Sequence, residues 1–315
     1  MGMRAPWLSV VMPSLRAERW IDASLASLAA QQMDGIEILI IDGSPTSATL
    51  DIARSYENRL HLRLFERPDL ESWQAKTNFG VEAAAAEHVC WLGSDDVWLP
   101  KRAGSARAWI ESASDAGLHL APSAIIDRRG RKIGDWHCPL PEGFVASELV
   151  LARLLVQNFV AAPAPVFRKD AWLGCGGLDQ QLWYTADWDM WLKLASSGKV
   201  VHHDEVTIGL RIRGDSLTVA GSRDSAEFAS QMRIVLDRHL ARLGEAAKQV
   251  EPAARASIAV NAALAAASAG DFRRLIPAAL ALLRLGPGGI HRYWRDSRIV
   301  ERTAPRVRAR LRGAL

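Results

Sequence analysis

The stretch Ile36-Glu37-Ile38-Leu39-Ile40-Ile41-Asp42-Gly43-Ser44-Pro45 decides the fold. Its hydrophobicity is continuous rather than alternating, which fits a central strand covered on both faces. Asp42-Gly43-Ser44-Pro45 then closes the run with residues that each favour a turn. A strand of that kind belongs in a largely parallel sheet flanked by helices.

The neighbouring segments repeat the alternation of strand and helix. Trp7 to Met12 is a short apolar run, and Glu18 to Ala30 follows with Ile21, Leu25 and Leu28 at helical spacing. Beyond the central strand, Ser47 to Tyr56 reads as a helix and Leu60 to Phe65 as a strand. Ser72 to Glu87 reads as a helix despite Gly80, because its alanines favour one. His88 to Leu92 is the next strand, and Leu99 to Ser112 the next helix. In such sheets ligands sit beyond the carboxyl ends of the strands. Those ends are Pro13-Ser14, Asp42 and Gly93-Ser94-Asp95-Asp96.

The middle of the chain is less regular. His119 to Ile126 reads as one strand, with Asp127-Arg128-Arg129-Gly130 as a hairpin turn. Ser147 to Gln157 and Asp187 to Ser196 read as helices, Ala164 to Arg168 and Val206 to Ile212 as strands, and Gly174 to Gly177 as a turn. From about Ser222 only helices are expected. Phe228, Met232, Leu236, Leu240 and Leu243 recur at near-helical spacing, Ala253 to Ala269 is alanine-rich, and arginines from Arg292 to Arg312 load the tail. The expectation is an α/β domain over residues 1–221 and a helical extension with a basic tail over 222–315.

The net charge of +4 over 315 residues does not make the body of the protein a polycation. The tail arginines lack an aromatic platform or a recognisable binding module, so no nucleic-acid partner is expected. Cys90, Cys138 and Cys175 are far apart and offer neither metal-binding spacing nor a disulfide framework. Free thiols in a reducing cytoplasm are the expectation. Met1 to Leu15 lacks the features of a signal peptide, and no stretch reaches the roughly 20 apolar residues of a spanning helix.

Three acidic sites could do chemistry. Asp95 and Asp96, adjacent after a buried strand, repel each other. Either they hold a cation such as Mg²⁺ or Mn²⁺, or one of them caps the helix beginning near Leu99. Asp42 either serves an ordinary turn or accepts hydrogen bonds from a nucleobase or ribose. Asp187 sits among Trp183, Tyr184, Trp188 and Trp191, which either receive a sugar face or pack the core. Asp189 and Lys193, four residues apart, suggest an ion pair on a helix surface.

The order of these pieces resembles the family 2 glycosyltransferases, inverting enzymes of the GT-A fold. The likeness covers roughly residues 9 to 218: a strand ending in Pro13-Ser14, then Asp42-Gly43-Ser44, Lys76 and Asn78 on a helix, Gly93-Ser94-Asp95-Asp96, and Asp187-Trp188-Asp189 heading a later helix. The resemblance implies that Pro13, Ser14 and Asp42 line a nucleotide pocket, with Lys76 near the nucleotide or its diphosphate. It implies that Asp95 and Asp96 bind the metal, and that Asp187 is the general base. The partners implied are a nucleoside-diphosphate sugar donor and a saccharide or lipid-linked acceptor.

Three departures stand out. Gly93 replaces the first Asp of an Asp-x-Asp metal motif, Ala186 replaces a Glu, and Arg213 stands where a His is common. An arginine can pair with phosphate but cannot ligate a metal. A degenerate, non-catalytic sugar-nucleotide-binding or assembly protein is therefore the rival reading. A dehydrogenase lacks support, because no Gly-x-Gly-x-x-Gly follows the first strand. A sugar nucleotidylyltransferase would carry a Gly-rich, Arg-containing loop where Pro13-Ser14-Leu15 stands. The basic tail is either a solvated helical face or, beside apolar Leu275 to Leu285, a contact with an anionic membrane surface. The second reading makes the protein cytoplasmic and peripheral on the inner face of the plasma membrane.

Overall fold

The computed structural model describes residues 5–213 and 224–311. Strand β1 (Leu8–Ser14) lies between β2 (Ile36–Asp42) and β4 (His88–Trp91), and β3 (His61–Glu66) joins the far side of β2. These four strands are parallel. The sheet continues past β4 through β10 (Val166–Arg168), β6 (Leu118–Leu120), β11 (Val200–His202) and β9 (Gly143–Val145), with β10 antiparallel to both its neighbours. A smaller sheet orders β5 (Val97–Trp98), β12 (Ile208–Arg211), β7 (Ser123–Ile126) and β8 (Lys132–Trp136). The expected mixed, mostly parallel GT-A-like α/β architecture is what the chain adopts.

Side chains from the central strands divide between two apolar layers, as double coverage requires. Val11, Leu39 and Ile41 face one layer with Val81 of α3 (Trp73–Ala83), Leu154 of α5 (Ser147–Val156) and Trp191 of α7 (Ala186–Ser197). Val10, Met12, Ile38 and Ile40 face the other, with Leu25 of α1 (Ile21–Ala29), Leu50 of α2 (Ala48–Arg54) and Ala106 of α4 (Arg102–Ser112). The expected chain boundary near residue 221 lies outside the described residues. Beyond it, Met232 and Leu236 of α8 (Ser225–Leu240) and Val250, Ala254 and Ile258 of α9 (Ala247–Ser268) belong to the first layer's core. Among the described residues no helix is long and apolar enough to cross a membrane.

Two local expectations need correction. The segment 119–126 is two strands in different sheets, broken at Ala121-Pro122, where proline cannot supply a ladder donor. The α3 helix stops at Ala83 although alanines continue to Ala86. Tertiary bonds override propensity there: the Ala85 amide donates to Glu37 and the Ala86 amide to the Ser9 hydroxyl. The first strand, as expected, ends in Pro13-Ser14.

Gly80 lies where α3 crosses β1 and β2. A Cβ there would stand 2.4 Å from Val11 Cγ1 and 2.7 Å from Ile41 Cδ1. Gly80→Ala is therefore expected to destabilise the fold by about 1–2 kcal/mol, because overpacking outweighs the gain of about 1 kcal/mol in helix propensity. Gly104→Ala in α4, which meets nothing within 4 Å, is the control and should stabilise by about 0.5–1 kcal/mol. Urea unfolding midpoints of the two variants check both signs.

Candidate functional site

The parallel register of β1 and β2 sets Ser14 opposite Asp42, and the Gly43 amide donates to the Ser14 carbonyl. Asp42 is buried and accepts a 2.8 Å bond from the Ser44 hydroxyl, which in turn accepts from the Arg16 amide. Ser14 Oγ is buried with no hydrogen-bond partner among the described residues. Pro13 sits beside Ile41 within the same ladder. Lys76 comes up from α3 beneath this turn: its ammonium lies 2.9 Å from where a Cβ on Gly43 would stand. It donates to the carbonyls of Leu70 (2.8 Å) and Glu71 (3.2 Å). Burial lowers its pKa, and the nearby Asp42 charge opposes that. Lys76 thus braces the loop after β3 and the Asp42 turn.

Asp95 and Asp96 lie in the turn after β4, where the Asp96 amide donates to the Gly93 carbonyl. The helix-cap reading fails, because α4 begins only at Arg102, behind β5, and has no side-chain cap. Burial, and after it the Asp95 charge, raise the Asp96 carboxyl well above the usual carboxylate range. Two arginines answer these charges. The Arg211 amide donates to Asp96 Oδ1 at 2.8 Å, and its guanidinium to the Asp95 carbonyl at 2.6 Å. Arg213 pairs with Asp95 Oδ2 at 2.7 Å. Both guanidinium groups lie over the Trp20 ring, at 5.2 and 5.7 Å from its centroid.

Gly93 changes meaning in this setting. A Cβ there would stand 2.6 Å from Asp96 Oδ2 and 3.1 Å from Asp95 Oδ1. The Asp96 carboxylate has moved into the room that a side chain at position 93 would need, and two carboxylate oxygens face one small volume. Among the described residues no group of three or more His, Cys, Asp or Glu side chains gathers around a possible ion. The pair therefore fits a Mg²⁺ or Mn²⁺ that takes its other ligands from phosphate and water, and does not fit an all-protein cage.

Asp187 opens α7. Its Oδ1 accepts from the Trp188 amide at 2.7 Å, and its Oδ2 from the Asn158 side chain at 3.2 Å. Burial outweighs these bonds and pushes its pKa up to about 6. Ala186 beside it is fully buried, where a glutamate would lose its hydration. The tryptophans divide between the two readings. Trp188 and Trp191 are core: Trp188 donates to the Leu154 carbonyl, and Trp191 packs 5.1 Å from Trp91. Trp183 and Tyr184 stay half-buried.

Helix α3 ties the Asp42 turn to the Asp187 side. Below Lys76, Asn78 exchanges bonds with the backbone of Leu178, Gln74 donates to the Leu182 carbonyl, and Trp73 to the Trp183 carbonyl. Asp189 is not on the surface. It is fully buried, and beside its Lys193 partner (2.7 Å) it accepts from Arg238 (2.9 Å) and His239 (2.8 Å) of α8. Burial alone would raise its pKa, but the bonds from His239 and Lys193 hold it well below the carboxylate range. The same helix receives Trp183 Nε1 on Glu227 and the Tyr184 amide on Gln231. Asn158, Trp20, Arg238 and His239 carried no sequence signal, since each acts on residues distant in the chain.

The description Glycosyl transferase family 2 matches residues 9–141. A PGL/p-HBAD biosynthesis glycosyltransferase of Mycobacterium bovis is 34% identical over 200 residues, covering 63% of this chain and 73% of its own. Among solved structures, S. aureus TarS 1–349 in complex with UDP superposes with a TM-score of 0.57 at 16% identity, over 95% of this chain and 91% of its own. The mannosyltransferase PcManGT from Pyrobaculum calidifontis, in complex with GDP-Man and Mn2+, gives 0.56 at 18% identity, over 93% and 84%.

The Asp189 cluster predicts a measurable loss. Asp189→Asn should destabilise the chain by about 3 kcal/mol, because it removes the buried negative charge that Lys193 and Arg238 pair with. The folded-state pKa of Asp189 is depressed, so its contribution is present above the unfolded value near 3.8 and lost as pH falls. The gap between wild type and variant should therefore shrink in acid, as measured by urea unfolding at pH 7 and pH 3.

Proposed function

The chain belongs to glycosyltransferase family 2, and from that membership we propose that it moves a sugar from a nucleoside-diphosphate sugar to a hydroxyl acceptor with inversion. The observation that carries the mechanism is the half-buried, desolvated Asp187 carboxyl with its pKa raised to about 6 at the head of α7. A base poised near neutral pH is deprotonated before reaction and still basic enough to take a proton.

In this mechanism Pro13, Ser14 and Asp42 receive the nucleoside, and Lys76 keeps their turn rigid. Asp187 takes the proton of the acceptor hydroxyl as its oxygen attacks the anomeric carbon. The bond from that carbon to the diphosphate breaks on the opposite face, so the configuration inverts. Arg213, now on Asp95, is close enough to the carboxylate pair to pair with the departing diphosphate. Asp95 and Asp96 would hold the divalent cation, Mg²⁺ or Mn²⁺, which when bound stabilises negative charge on the leaving group.

The complexes of TarS with UDP and of PcManGT with GDP-Man and Mn2+ support a nucleotide-sugar donor and a metal. The mycobacterial relative's role in PGL/p-HBAD biosynthesis supports assembly of a bacterial surface glycolipid or polysaccharide, with a saccharide or lipid-linked acceptor. The three free cysteines support a cytoplasmic reaction, and we include a peripheral position at the membrane in the same reading. The non-catalytic alternative keeps one argument, the departures at Gly93 and Ala186. The room that Gly93 gives to Asp96 weighs against it.

Asp187→Asn should lower transfer about 10²–10⁴-fold while leaving donor binding intact. For the wild type, kcat/KM should fall about tenfold per pH unit below the pKa near 6, since protonated Asp187 cannot accept the proton. Full activity in the variant would remove the base assignment. A second test addresses the charges at the diphosphate. Arg213→Ala should raise the donor KM about tenfold, and excess EDTA should abolish most turnover. Undiminished turnover in EDTA would remove the metal.

A further inference from the structure

The C-terminal helices present an apolar surface that no described residue covers. In α10 (Leu275–Leu283), Ala278 is buried and Leu282 packs on the core, which anchors one side of the helix. Its other side shows Ile276 (72% exposed), Leu280 (46%) and Leu283 (67%), spaced four and three residues apart and so on one face. Phe272 just before the helix is 63% exposed, and Trp294 on the adjoining α11 (Gly286–Ser297) is 60% exposed. Scattered exposed apolar residues are ordinary; a stripe of this kind is not.

Charge identifies the occupant. Between Asp271 and Asp296 there is no acidic residue, while arginines stand at 273, 274, 284, 292 and 295. Large apolar side chains on one helix face, with cations around them and an aromatic ring nearby, suit the boundary of an anionic bilayer. A second copy of this chain is a poor occupant, because it would set arginines against arginines.

One face of the tail helix is engaged elsewhere. In α12 (Ile299–Leu311), Arg302 is buried and donates to Asn261, Glu301 pairs with His137, and Pro305 rests against Gly134 of β8. Arg312 lies outside the described residues.

The geometry points to α10, with Phe272 and Trp294, as the segment that docks the protein on an anionic lipid surface, the exposed flanking arginines Arg273, Arg274 and Arg284 engaging lipid headgroups. This names the contact behind the peripheral position proposed above and rests on that position; it does not depend on the transfer chemistry.

Co-sedimentation of the full chain with phosphatidylcholine vesicles, with and without about 30% phosphatidylglycerol, tests it. Binding should require the anionic lipid and weaken as salt is raised. Ile276→Asp/Leu283→Asp should lower it about tenfold or more, and Arg273→Glu/Arg284→Glu should remove its salt dependence. All four positions are exposed, so an unchanged unfolding midpoint and unchanged donor hydrolysis should accompany the loss. Wild-type binding that both variants retain would overturn the α10 assignment and leave the peripheral position standing. A wild type that ignores anionic vesicles would overturn both, as would a concentration-dependent dimer in light scattering that the Asp variant abolishes.

Discussion

Strand β1 is hydrogen-bonded to β2 residue for residue, from Leu8 against Ile36 to Ser14 against Asp42, and to β4 from Leu8 against His88 to Val11 against Trp91. Because the three strands run the same way, the turns that follow them emerge at one edge of the sheet. A slip of one residue would turn every side chain to the wrong layer. It would also undo a buried lock: Glu37 accepts from Ser9, from the Ala85 amide and from Arg63. Those bonds, with the Arg63 charge, hold its pKa low against burial, so the register carries an electrostatic penalty for error as well as a packing one.

The carboxylates near that edge are treated in three ways. Asp95 and Asp96 are crowded together and answered by arginines from the end of β12. Asp189 is buried deepest and has the most partners, so it stays ionised. Asp187, two residues earlier, has only an amide and an asparagine, and its pKa rises. The contrast between Asp187 and Asp189 follows from partner charge. Desolvation pushes both upward, but only Asp189 is met by cations.

The helices after residue 224 therefore take part in the site's geometry. Through Arg238 and His239 they fix α7, and through Glu227 and Gln231 they hold the half-buried Trp183-Tyr184 segment. One side of the extension is thus committed to the catalytic fold, while α10 keeps its apolar face outward.

By itself the sequence determined the alternation of strands and helices, the central position of Ile36 to Ile41, and the order of the turns bearing Asp42, Asp95 and Asp96 and of the helix headed by Asp187. These are local matters, set by periodicity and turn chemistry within a few residues. Tertiary structure decided what each of those residues meets. It split the 119–126 segment between two sheets, sent Trp188 and Trp191 to the core, buried Asp189, and moved the Asp96 carboxylate into the room left by Gly93. Desolvation and charge pairing depend on groups far away in the chain, such as Asn158 for Asp187 and Arg238 for Asp189. No local pattern encodes those distances, because only the packed chain brings the partners together.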